Sequence, residues 1–189
     1  LSSYSIDELT ELLPASLKDE IHSRVSYFPG GETEALSRLQ RKVSGQVDFV
    51  NDFRKPKTAS TNESCDPMEP STTGLSPYLS TGCLSVRMLW QECEKCYLLG
   101  NHSEPPESLH GQLLFREMFY LLSRSVENWD RDSDNEMCKP IDWDEFHAEK
   151  MTAWENGQTG FPLVDAMMRQ LDATGWMHHL GRHAVSCFL

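Results

Sequence analysis

Across residues 109–126, Leu114, Phe115, Met118, Phe119, Leu122 and Val126 return at the spacing that lines one side of an α-helix. The same period governs Val86, Leu89, Trp90, Cys93 and Tyr97, with Ser85 placed to cap that helix. It recurs in Ala35, Leu36, Leu39 and Val43, which follow the turn signal Pro29-Gly30-Gly31. Glu32 and Glu34 put negative charge in the first turn of this helix, where the helix dipole favours it. Gly160-Phe161-Pro162 predicts a further helix with Pro162 at its first position, and Gly175 separates it from a last helix over 176–189. No run of alternating apolar and polar residues is long enough for a paired strand, so the predicted fold class is all-α.

Between these segments the chain reads as connectors. Residues 55–71 are rich in Thr, Ser, Asn, Asp and Pro and predict a polar loop; residues 128–136 are strongly acidic and predict another, continued irregularly over 140–144. Residues 1–28 carry a weak helical pattern (Leu9, Leu12, Leu13, Leu17, Ile21, Val25) that Pro14 interrupts. The N-terminus lacks the basic head and apolar stretch of a signal peptide, and it lacks Met, as expected of a fragment or a processed chain. No apolar run approaches the roughly twenty residues that cross a bilayer.

Charge narrows the function classes. The 29 acidic residues outnumber the 17 basic ones, for a net charge of −12. Contacts to phosphate backbones need clustered Lys and Arg, so this balance argues against general nucleic-acid binding. The six cysteines show no disulfide framework, and Cys93-x-x-Cys96 has no second pair at zinc-ligand spacing. Reduced thiols and an intracellular protein are expected.

Three constellations could carry chemistry. Thr72-Thr73-Gly74-Leu75-Ser76-Pro77 puts hydroxyls and a glycine before a helix, with Ser76 as the expected cap. Such a start suits a phosphate, although an ordinary capped helix has the same pattern. Gln112 and Arg116 stand four apart on one face of an apolar helix, and either a polar ligand or protein carboxylates would satisfy them. Trp176, His179 and His183 fall at positions that share one face of a continuous helix. His179 and His183 could supply a general acid, share a metal, or sit in the core satisfied by neighbours; no third ligand stands at a convincing spacing.

Taken together, these segments resemble the cryptochrome/photolyase family. The resemblance is carried by Gly30-Gly31-Glu32-Thr33-Glu34-Ala35-Leu36, by Thr73-Gly74-Leu75-Ser76-Pro77-Tyr78-Leu79 with Gly82-Cys83-Leu84-Ser85, and by Gly111-Gln112-Leu113-Leu114 with Arg116-Glu117. It continues through Gly157-Gln158-Thr159-Gly160-Phe161-Pro162 and Gly175-Trp176-Met177-His178-His179-Leu180-Gly181-Arg182-His183. It departs at Phe115, where the family mostly has Trp, at Phe53, where some photolyases have Tyr, and at Ser80-Thr81.

What the resemblance implies is a truncated helical domain that holds FAD. Residues 29–189 would be its N-terminal and central part, and residues 1–28 the end of a connection from an antenna domain. Thr72, Thr73, Leu75 and Ser76 match the family's phosphate-binding loop, Gln112 and Arg116 its flavin-pocket helix, and Trp176, His179 and Arg182 the flavin and substrate cavity. Trp143 matches the outer tryptophan of the electron-transfer chain. His179 with His183 resembles animal-type cryptochromes and (6-4) photolyases, and in the repair enzymes the residue matching His179 is taken as the proton donor. The Asp-x-Asp segment, the residue facing flavin N5 and the inner tryptophans would follow Leu189. The implied function is a blue-light flavoprotein, a cryptochrome photoreceptor or regulator, with a (6-4) DNA photolyase and an FAD-free helical interaction module as alternatives. Damaged DNA would be the partner of a photolyase, clock or signalling proteins that of a cryptochrome, in the nucleus or cytoplasm.

Overall fold

The structure, a computed structural model, describes residues 11–14, 28–54, 70 and 72–189. Every regular element among them is helical; most sit where the apolar period and the turn residues predict a helix, while the two short helices Val47–Asp52 and Ala148–Glu155 were not expected. The expected connectors over 1–28 and 55–71 lie outside the described residues, apart from 11–14, Phe28 and Pro70. The chain forms two compact units, one over Phe28–Phe146 and the other including His147–Leu189.

The first unit holds α1 (Glu32–Lys42), α2 (Val47–Asp52), α3 (Ser76–Thr81), α4 (Val86–Tyr97) and α5 (Leu109–Ser125). Its core is built from Ala35 and Leu39 of α1, Val50 of α2, Tyr78 of α3, Leu89 and Cys93 of α4, and Leu113 of α5. Each fully buried aliphatic side chain of this kind contributes about 1.5–3 kcal/mol relative to exposure. Helix α4 is central, packing against α2 on one flank and α5 on another. The Cys96 thiol donates to Val43 O at 3.6 Å and ties α4 to the end of α1. Leu36, expected on the buried face of α1, is 39% exposed.

Helix α5 corrects a larger expectation. Its buried residues are Leu109, His110, Gly111 and Leu113, all in the first turns. Leu114, Met118 and Phe119, predicted as its buried face, are exposed. The reason is where α5 is gripped. Ser108, fully buried, accepts the Gly111 N–H at 3.2 Å, and a Cβ on Gly111 would lie 2.4 Å from Pro106 O. Only glycine lets the helix start come this close to the preceding backbone.

Ser85 does stand at the cap position of α4 with extended backbone, but its hydroxyl makes no capping bond.

The second unit holds α6 (Ala148–Glu155), α7 (Pro162–Thr174) and α8 (His179–Phe188), with α7 packed against both others. Pro162 occupies the first turn of α7, as predicted, and Gly175 ends that helix with φ 69°. Val164 and Met168 of α7 meet Met177 and Val185 in a small core, flanked by Trp154, whose indole N–H donates to Val185 O at 3.0 Å. The last helix starts three residues later than expected, because His178 has extended backbone and caps it, its Nδ1 accepting the Leu180 N–H. Trp176 therefore precedes α8, and it does not share a helix face with His179 and His183.

Candidate functional site

The candidate residues divide between the two units. Thr72, Thr73, Leu75, Ser76, Gln112, Arg116 and Trp143 belong to the first, and Trp176, His179, Arg182 and His183 to the second.

In the first unit the chain turns at Gly74, whose φ of 61° is left-handed and suits glycine. Leu75 then sinks into the core at 1% exposure, while Thr72 and Thr73 stay half-buried and Ser76 exposed. The Thr73 hydroxyl accepts the Leu75 N–H at 3.4 Å and its carbonyl accepts Arg38 Nε–H at 3.1 Å. Ser76 is not the cap of α3: Leu75 occupies that position and Ser76 is the first helical residue, followed by Pro77. What remains at this turn is a set of hydroxyl and backbone donors over a buried arginine.

Arg116 reaches the same neighbourhood from α5. It donates to Leu79 O of α3 at 3.4 Å, ion-pairs with Glu117, and lies 4.5 Å from the Tyr120 ring centroid. Its side chain is 27% exposed, so the charge is paired but open to solvent. Gln112, one turn earlier, donates its amide to Pro106 O at 3.0 Å. The alternative of a protein carboxylate for Arg116 is thus realised in the described chain, by Glu117 itself.

Trp143 is 63% exposed and donates its indole N–H to Asp132 at 3.3 Å within the acidic loop. Asn135 organises that loop from inside: it is 7% exposed, and its amide donates to the carbonyls of Asn128 and Arg131, both at 3.0 Å.

In the second unit, His178 and His179 lie with ring centroids 4.4 Å apart, and Trp176 meets His178 edge-on at 6.4 Å. Burial first, then the charges of His178, His183 and Arg182, hold the His179 imidazole below its ordinary pKa. Arg182 donates to Met177 O at 2.9 Å. Among the described residues no three His, Cys, Asp or Glu side chains are placed to hold a metal ion.

Sequence reasoning passed over three residues that shape these regions: Arg38 under the Gly74 turn, His110 stacked on Trp90, and Asp165 beneath the 157–160 loop. Asp165 had a local signal, a carboxylate in the first turn of a helix after Thr159-Gly160. Arg38 had none, because its partner is 35 residues away.

Comparison with known proteins places the chain among flavoproteins. The FAD binding domain of DNA photolyase, as a protein family, matches residues 108–189. A (6-4) DNA photolyase of Arabidopsis thaliana is 42% identical over the whole of this chain, and cryptochrome-1 of Erithacus rubecula is 44% identical over 86% of it. The chain spans 33% of the first and 25% of the second. Among solved structures, a Synechocystis cryptochrome superposes with a TM-score of 0.66 at 29% identity, covering 88% of this chain and 33% of that one. A class III photolyase of Agrobacterium tumefaciens gives 0.66 at 26% identity, covering all of this chain and 36% of its own.

Proposed function

We propose, on the premise that this chain belongs to the cryptochrome/photolyase family and forms part of its FAD-binding helical domain, that the protein carrying it is a cryptochrome-type photoreceptor or regulator. FAD is the cofactor of this domain type, and when bound it supplies a blue-light-absorbing one-electron redox centre.

The residues present fit that group. At the Thr72–Ser76 turn, hydroxyls and a left-handed glycine stand over a buried guanidinium, a donor set suited to a diphosphate. Within the first unit, Thr72, Thr73, Leu75 and Ser76 are read as holding the diphosphate, and Gln112 and Arg116 as matching the family's flavin-pocket helix. In the second unit, taken by itself, Trp176, His179 and Arg182 are read as cofactor-binding from the resemblance. Trp143 is read as the outer, solvent-side tryptophan for electron transfer, consistent with its exposure.

One observation carries the choice of a cryptochrome. It is the net charge of −12, which disfavours the phosphate-backbone contacts that a repair enzyme makes with DNA. Signalling or clock proteins are then the partners, in the nucleus or cytoplasm. A second reading, a (6-4) photolyase acting on damaged DNA, is favoured by His179 and His183 standing one turn apart on α8 and by the plant relatives so named.

The deciding experiment is light-dependent repair of a (6-4) photoproduct oligonucleotide by the FAD-reconstituted protein. Flavin photoreduction without repair is the expected result. Repair would replace this reading with the photolyase one, and His179→Ala would then abolish repair while FAD stays bound.

A further inference from the structure

Arg38 is a fixed cation in an unusual place. It lies on the inner face of α1 and is 4% exposed, and a guanidinium cannot shed its charge on burial. Burying it is costly unless its donors are used. Nε donates to Thr73 O at 3.1 Å. The guanidinium carbon also lies 4.8 Å from the Phe28 ring centroid, within cation–π range.

The contact with the turn is closer than the hydrogen bond alone implies. A Cβ built on Gly74 would lie 2.5 Å from Arg38 Nη2, 2.8 Å from Nε and 3.0 Å from Cζ. The guanidinium fills the volume a side chain at position 74 would need, so Arg38 and Gly74 exclude each other's alternatives. Drawing the Thr73 carbonyl toward Arg38 also removes an oxygen that would repel an anion from the outer side of the turn. The buried hydroxyl of Tyr78, one turn further on, has no hydrogen-bond partner and lies within reach of the Arg38 charge.

We propose that Arg38 is a positioning residue for FAD binding: packed beneath Gly74, it fixes the Thr72–Leu75 turn and sets a permanent positive charge behind the diphosphate it receives. This rests on the reading of that turn as the diphosphate site. Arg38 acts through the turn and not on the flavin ring, so its effect belongs to the phosphate-bearing part of the cofactor.

The test is a titration of the apoprotein carrying this chain with FAD and, separately, with riboflavin, which lacks phosphate, for wild type, Arg38→Met and Arg38→Lys. Arg38→Met is expected to weaken FAD by about tenfold or more, as loss of a charge-assisted contact would, and riboflavin by less than about twofold. Arg38→Lys, which keeps the charge, is expected to recover part of the FAD loss. Equal weakening of both ligands would mean general unfolding, and unchanged FAD affinity would mean no role; either overturns the proposal. Should Arg38→Met fail to fold, Gly74→Ala, which forces the guanidinium to shift, is the second probe with the same expected pattern. Wild type that takes up no FAD would overturn the underlying reading as well, and it is recognised before any variant is compared.

Discussion

The carboxylate of Asp165 accepts both the backbone N–H of Thr159, at 2.8 Å, and the hydroxyl of the same residue, at 2.6 Å. Its other oxygen accepts the Gly160 N–H at 3.1 Å, so one side chain in the first turn of α7 closes the loop that precedes it. Arg169 closes the loop from the other end, donating Nε and Nη2 to Gly157 O at 3.0 and 2.7 Å.

These bonds, the Thr159 hydroxyl first, hold the Asp165 carboxyl below its ordinary pKa. The unfolded chain binds the proton more readily, so this stabilisation is present above the unfolded value near 3.8 and is lost as pH falls through the folded one. Asp165→Ala is expected to lower Tm by roughly 3 °C or more at pH 7, and Asp165→Asn to flatten the acid limb of stability against pH. Thermal melts from pH 7 to pH 3 would show it; an unchanged acid limb in Asp165→Asn would refute the assignment.

Gly111→Ala tests the grip on α5. Alanine is the better helix former, so propensity alone predicts stabilisation. The structure predicts the opposite, a loss of about 1–3 kcal/mol, because the new methyl would meet the Pro106 backbone, which has little room to give. Gly30→Ala is the control, with nothing within 4 Å of its Cβ, and urea denaturation of the two variants separates the effects.

His110 gives a pH dependence of its own. Its ring stacks on Trp90 at 3.5 Å between centroids and 6° between planes, with Nε2 donating to Trp90 O at 3.0 Å. Burial holds its pKa below the ordinary value of 6.5, so the unfolded chain takes up the proton first and stability falls as pH drops below that value. The denaturation midpoint in urea should be lower at pH 5.5 than at pH 7.5, and His110→Phe, which keeps a ring in the stack, should narrow the difference. A residual slope of the same sign is expected from His179.

The thiols should divide by burial. Cys93 is fully buried and its pKa is pushed up to about 12, chiefly by desolvation; Cys96 is shifted the same way. Cys138 and Cys187 are exposed. A thiol reagent at pH 8 should modify Cys138 and Cys187 in the native protein and reach Cys93 and Cys96 only after unfolding. Mass mapping of the labelled peptides reads this directly.

The positions of α1, α4, α5 and α7 were legible because they are local; the short α2 and α6 were not. Apolar residues three and four apart, Pro162 at a first turn and Gly175 at a helix end act within a few residues of themselves, so contiguous sequence determines them. The candidate segments were legible for the same reason, since each is a short run such as Thr72–Ser76 or His178–His183. The sequence could not say which apolar residues are covered. Leu114, Met118 and Phe119 carry the same helical period as Leu113, yet only Leu113 is buried, because cover comes from elements distant in the chain. Nor could it show that Arg38 lies beneath Gly74, or that Trp176 falls outside α8. Those depend on close packing across tens of residues, where a few tenths of an ångström decide which side chain fits. The sequence by itself determined a helical domain of the cryptochrome/photolyase kind and its candidate residues; the tertiary structure alone decided what each of them packs against, because that contact comes from segments far away in the chain.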